Sequence, residues 1–290
     1  MNRRLGIVLV LIALAAAPVF ANHSWGGYHW ARTSNPFTVK VNDNIDPLWE
    51  SYLSTAVSDW NQSNVFDYQV IWQNPLTSDR KCGSTAGQIE ICNTTYGQNG
   101  WLGIAGISIS GTHITKGYTK LNDTYFNMAQ YNTPAWRRLV TCQEIAHDIG
   151  LAHQDETFNN ANLGSCMDYT NAPSGGIVNG FNYGPSNEHP NSHDFNEIST
   201  IYSHVDSTTT LSSLPMLGEV AAMATRPRPV DEIIAGSENW GVPVQFDKQG
   251  RGITYIRVTG LSENGPDAEI THVFWAPDAP QNSAPGLSDE

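Results

Sequence analysis

Residues 141–156 read Thr-Cys-Gln-Glu-Ile-Ala-His-Asp-Ile-Gly-Leu-Ala-His-Gln-Asp-Glu, and Gln143, Glu144, His147 and His153 among them are of types that hold a metal or move a proton. On a helix, positions 143 and 147 lie on one face about one turn apart, near enough for both side chains to reach a single ion. Glu144 is ~100° round the axis, so it can point toward a water bound to that ion without being a ligand. Gly150 is where the helix is expected to stop, since glycine accepts the left-handed conformation that turns the chain back. His153, three residues on, can then come round to the same ion. Gln143 is the weak member: an amide oxygen is a neutral, harder donor than imidazole and suits calcium or magnesium better than zinc. Its reach is nonetheless adequate. Three outcomes stay open at this point: a metal-bound hydrolytic site, a metal-bound inactive site, and no metal.

These residues need a scaffold. A helix is expected over Pro134–Gly150. Upstream, Phe37–Val41 alternates as a strand, and a helix opens at Pro47 with Leu48, Leu53, Val57 and Trp60 at near-helical spacing. Asp67–Trp72 and Gln88–Cys92 read as strands, and Gly103–Asn122 as one or two more with a break at Gly111. Phe195–Tyr202 is a closing helix. The region 22–205 therefore reads as one α+β unit. Ser, Thr, Pro and Ala dominate 206–235, a linker expected to be poorly ordered. A small β extension follows at 236–276, with a hairpin of Val242–Phe246 and Ile253–Val258 and a third strand over Ile270–Trp275, and a tail of 277–290 expected to be disordered. About forty residues are few for an independent core, so the extension is expected to pack on the main unit.

Arg3 and Arg4, the apolar run Leu5–Ala17 and the ending Val19-Phe20-Ala21 make residues 1–21 a secretory signal peptide, the alternative being an uncleaved anchor. No other stretch approaches the ~18 apolar residues of a membrane span. The expected setting is extracellular or periplasmic. Four cysteines in an exported chain favour disulfides, with Cys82–Cys92 and Cys142–Cys166 the expected pairing among three formal connectivities. The net charge of −13 argues against nucleic acid and anionic membranes as partners.

Further along lies Ser165-Cys166-Met167-Asp168-Tyr169. Together, Gln143-Glu144-x-x-His147-x-x-Gly150-x-x-His153 and this later methionine resemble the metzincin clan of zinc metallopeptidases, with its HExxHxxGxxH helix and methionine turn. The resemblance covers roughly His23–Val205. In size it is matrixin-like, while Ser165-x-Met167-x-Tyr169 is similar to the astacins and serralysins. It implies a twisted, mostly parallel sheet with an active-site helix and a smaller C-terminal subdomain. It also implies Zn²⁺ held by Gln143, His147 and His153, Glu144 as general base, Gly150 and Met167 as structural support, and Tyr169 as an extra ligand or oxyanion stabiliser, unless it merely packs in the turn. Structural Ca²⁺ is a second candidate cofactor. A monomeric, secreted endopeptidase acting on peptide or protein is the function implied; a catalytically inactive binding module on the same scaffold is the alternative. Arg80-Lys81-Cys82-Gly83 superficially resembles the matrixin latency switch, but it follows the first helix and has Cys92 as a nearby disulfide partner.

The other histidines have plainer readings. His113 and His193 are each expected to be surface or capping residues, with a third metal ligand as the alternative. His23 and His29, amid Trp25, Tyr28 and Trp30, are expected to dock the mature N-terminus rather than to bind metal. Asp155 and Glu156 are expected in a solvated loop, the alternative being ligands if His153 is displaced.

Overall fold

The computed structural model describes residues 23–72, 82–212 and 239–279. The signal peptide assigned to 1–21, most of the linker assigned to 206–235 and most of the tail assigned to 277–290 lie outside the described residues. The elements run β1 (His29–Trp30), β2 (Phe37–Asn44), α1 (Pro47–Trp60), β3 (Phe66–Trp72), β4 (Gln88–Thr94), β5 (Trp101–Ser110), β6 (His113–Asn122), α2 (Asp123–Phe126), α3 (Pro134–His147), β7 (Ile177–Val178), β8 (Phe181–Asn182), α4 (Ser192–Ile201), β9 (Val242–Phe246), β10 (Gly252–Ser262) and β11 (Gly265–Trp275). The fold is mixed α+β. Nine strands form one sheet, in the order β3-β2-β4-β6-β5-β11-β10-β9, with β1 pairing separately on β6. The β3-β2-β4-β6 part is parallel, and from β6 onward every neighbour is antiparallel.

Local chemistry starts each helix. Asp46 caps α1 by accepting the Leu48 N–H, with Pro47 in the first turn, and Thr133 and Pro134 do the same for α3. Asn191 and Asp194 form a reciprocal capping box on α4. The buried face of α1 is Trp49, Leu53, Ala56 and Trp60. Leu48, expected on that face, is exposed because Trp49 takes the inward position one residue later.

The C-terminal segment continues the main sheet. β11 pairs along the whole of β5, from Asp267 opposite Ser110 to Trp275 opposite Trp101. It is covered on both sides: Ile270 and Phe274 join the principal core, while Val273 and Trp275 pack with Trp101, Ile104, Trp240, Ile253 and Tyr255 in a smaller cluster. Residues 206–212, which the sequence reads as the start of a linker, are hydrogen-bonded to the body through Asp206 N–H to the Arg32 carbonyl, Thr210 N–H to Ala31 and Ser212 N–H to Gly87. Both disulfides have the expected pairing, Cys82–Cys92 and Cys142–Cys166. Among the described residues no helix is long and apolar enough to cross a membrane.

Candidate metal centre

α3 is buried from Ala135 to its end apart from Arg138, so carbonyls near its end need partners from the protein itself. Side chains of α1, β3 and β1 and of the residue after α4 bond carbonyls near its end and in the reversal that follows. Trp60 Nε1 donates to the Cys142 carbonyl, Tyr68 Oη to Ile145, Trp30 Nε1 to Asp148 and Tyr202 Oη to Ile149. These bonds fix the depth and rotation of the helix that carries the motif. The helix ends at His147, earlier than the sequence suggests, and the chain reverses at Gly150. There φ is +94°, and a Cβ would lie 2.1 Å from the Tyr28 carbonyl oxygen, so both conformation and space demand glycine. The segment 23–25 seals the reversal, with Trp25 N–H bonded to the Gly150 carbonyl and Ala152 N–H to His23.

The reversal brings His153 beneath His147, with their Nε2 atoms 3.1 Å apart. A third imidazole joins them from a quarter the sequence motif does not touch: His272, on β11. One donor atom from each of His147, His153 and His272 lies within 4.8 Å of the other two, and all three side chains are buried. His147 Nδ1 faces the Leu151 carbonyl at 2.7 Å, which places its proton there and turns a bare Nε2 lone pair inward. Burial, reinforced by the neighbouring imidazoles, holds His147 and His272 well below the usual histidine range, and burial lowers His153 as well. Three neutral nitrogen donors in one pocket suit zinc.

The flanking groups complete the pocket. Tyr169 is wholly buried, with Oη 3.3 Å from His272 Nε2 and its ring 4.5 Å from that of His153. Glu144 is also wholly buried, and neither carboxylate oxygen has a hydrogen-bond partner among the described residues. Burial, with Asp148 nearby, pushes its carboxyl well above the usual range. The side chain lies against β5, where a Cβ on Gly103 would come within 2.8 Å of Glu144 Cγ. A buried, unpartnered carboxyl is costly to keep and characteristic of a working group.

Gln143 Nε2 donates to the Cys166 carbonyl at 2.6 Å, while Oε1 has no partner among the described residues. Its neighbour Cys142 is bonded to Cys166, so helix and turn are joined twice. The turn containing the buried Met167 is also held from the far side. Ser165 Oγ donates to Asp194 Oδ2 at the start of α4, and Asp168 Oδ2 accepts from Leu163 N–H and Asn187 Nδ2. Asp155 pairs as an isolated bridge with Asp168, and Glu156 Oε1 lies 3.6 Å from His153 Nδ1.

No family model and no curated protein sequence matches the chain. Among solved structures it is similar at a distance to high choriolytic enzyme 1, a hatching enzyme zinc-protease from the medaka Oryzias latipes, at 13% identity over 60% of this chain and 94% of that one, with a TM-score of 0.35. Two structures of myroilysin are similar at 14% and 13% identity, over 62% and 60% of this chain and 98% and 86% of theirs, with TM-scores of 0.35 and 0.32. Values this low carry no argument for function, which rests on the side chains.

The remaining histidines fall elsewhere. His193 stacks on His23, whose Nε2 is 3.3 Å from Asp194 Oδ1. His113 and His29 meet in a separate cluster. Sequence reasoning missed His272. The signal was there in weak form: a lone histidine between Ile270 and Phe274, at the spacing of two that puts all three on one face of a strand.

Proposed function

We propose that the protein is a secreted, zinc-dependent metalloendopeptidase in which His147, His153 and His272 hold the metal. The observation that carries this reading is the convergence of three buried imidazoles beside a buried carboxyl, Glu144, with both oxygens unpartnered. The spacing of Glu144, His147, Gly150 and His153, with Met167 downstream, supports a metzincin-like site in which the third imidazole comes from the C-terminal strand and Gln143 braces the turn. His147, His153 and His272 would hold the zinc, which would supply Lewis-acid polarisation of a carbonyl and a more acidic water. Glu144 is the group to take a proton from the attacking water and pass it to the leaving amine. Tyr169, placed beside His272, is the donor for the oxyanion. An extended peptide is the substrate class.

One observation favours a second reading. Glu144 and Tyr169 are fully covered and β11 occupies the edge of β5, where an extended chain would otherwise add. Closed metal sites are structural, and open ones catalytic. A peptidase must therefore let β11 move, and the His272 ligand with it, to admit substrate, leaving the metal on His147 and His153, whereas an inactive binding module need not.

Zinc content and peptide-library cleavage of the purified mature chain separate the two, with Glu144→Ala in parallel. Zinc with turnover that Glu144→Ala abolishes, leaving zinc in place, is expected. Turnover that survives Glu144→Ala would sink the peptidase mechanism, and zinc without any turnover in the wild type would give the binding module precedence.

A further inference from the structure

A second set of donors, sharing no residue with the first, gathers around Asp206. His29 on β1 and His204 and Asp206 in the chain after α4 each bring one donor atom within 4.8 Å of the others. His29 Nε2 and His204 Nε2 are 3.1 Å apart, and these atoms lie 3.6 and 3.7 Å from Asp206 Oδ1. His113, the first residue of β6 and the register partner of His29, puts its Nε2 3.3 Å from the same oxygen. Tetrahedral zinc bonds of about 2.0–2.1 Å give donor–donor edges of about 3.3–3.4 Å, the range around which these four separations fall.

The partners these side chains have outside the cluster turn their donor atoms inward. His29 Nδ1 faces the Gly27 carbonyl at 2.9 Å, so the neutral ring carries its proton there and turns a bare Nε2 toward both the His204 nitrogen and the carboxylate. Two imidazole nitrogens and a carboxylate oxygen that face one another in this way make a donor set for a cation. Asp206 has the matching outer arrangement. Its Oδ2 accepts from the Arg32 backbone N–H and from Arg32 Nη1, which leaves Oδ1 alone to face the three imidazoles. Carbonyl-oriented imidazole and hydrogen-bonded carboxylate are the usual supports of metal ligands. His113 and His204 are partly exposed, giving an ion a way in.

We propose that His29, His204 and Asp206, with His113 set beside the carboxylate, form a structural zinc site that ties β1 and the chain after α4 into one unit. Two imidazoles and one carboxylate select zinc over calcium, which takes oxygen ligands.

The test is elemental analysis of the zinc-loaded, gel-filtered mature chain, comparing the wild type with His204→Ala, Asp206→Ala and His153→Ala. Circular dichroism confirms that each variant is folded; His204 is half-exposed, so its truncation leaves the core intact. The expected result is two equivalents in the wild type and one in every variant. Cobalt substitution adds a readout independent of activity, since the tetrahedral visible absorption should fall in His204→Ala. His204→Ala and Asp206→Ala retaining the wild-type stoichiometry would overturn the proposal. A wild type with one equivalent, lost in His204→Ala and kept in His153→Ala, would uphold this site and remove the one on α3; the opposite pattern would remove this one.

Discussion

Gln143 donates its amide proton to the Cys166 carbonyl at 2.6 Å, one residue along from the disulfide that joins Cys142 to Cys166. The side chain at the position where the resemblance expects a zinc ligand is thus engaged as a brace between helix and turn. Gln143→Ala should leave a buried carbonyl unpaired and cost about 1–3 kcal/mol in denaturant unfolding. Zinc at the α3 site should remain stoichiometric, whereas His272→Ala should lose it. Loss of zinc in Gln143→Ala with retention in His272→Ala would restore the glutamine as the ligand.

The disulfide acts at the same level. Replacing Cys142 and Cys166 together by alanine should lower stability by about 2–4 kcal/mol, because the link constrains the unfolded chain. It should also weaken zinc binding, since the turn beneath His153 is then held to α3 by the Gln143 bond alone. Unchanged zinc affinity in a chelator competition would show that the bridge stabilises the fold without shaping the site.

Legibility in the sequence followed sequence distance. Glu144, His147, Gly150 and His153 belong to one helix and its reversal, so helical geometry and the conformational freedom of glycine were enough to place them together. Strand segments at Phe37–Val41, Asp67–Trp72 and Gln88–Cys92, and one or two more over Gly103–Asn122 with a break at Gly111, whose φ is +61°, were likewise legible, but not their pairing. His272 was not, because its place depends on β11 finding β5 across the sheet. Alternation shows which residues of a strand share a face but says nothing of which strand lies beside it. The Asp206 cluster was hidden for the same reason: His29, His113 and His204 are brought together only by the β1–β6 register and the return of the chain after α4.

Gly103 tests the position of Glu144. A Cβ there would meet Glu144 Cγ and Oε1 at 2.8 Å and Val140 Cγ1 at 2.7 Å. Gly103→Ala should therefore push the carboxyl aside and reduce peptide turnover at least tenfold while zinc content is unchanged. Turnover equal to the wild type would mean that the observed placement of Glu144 is not the one used in the reaction.

Asp168 carries a pH signature. Burial raises its carboxyl to about 6, against about 3.9 in an unfolded chain. The folded state therefore holds this proton more tightly. Its contribution is most favourable below about pH 4, declines as pH rises through about 4–6, and is a full penalty above that. Asp168→Asn keeps an oxygen for Leu163 N–H and Asn187 Nδ2, and should stabilise the protein by about 1–3 kcal/mol at pH 7.5 with little gain at pH 4. Equal effects at both pH values would contradict the raised titration.

The C-terminal strand couples metal to access. If His272 is a zinc ligand, β11 is fastened to the α3 site by a metal bond as well as by its pairing with β5, and removing the ion should free it first. Hydrogen exchange measured with and without chelator should show faster exchange in Gly265–Trp275 and in the facing β5 amides, while β2 and β3, on the other side of the sheet, keep their protection. His272→Ala should reproduce the chelated pattern without chelator. Such opening would expose the β5 edge and Glu144 only as the His272 ligand is lost, so a β11 that stays protected until zinc is removed supports the closed, non-cleaving reading, and chelator-independent exchange in β11 would remove the physical link between metal binding and that closure.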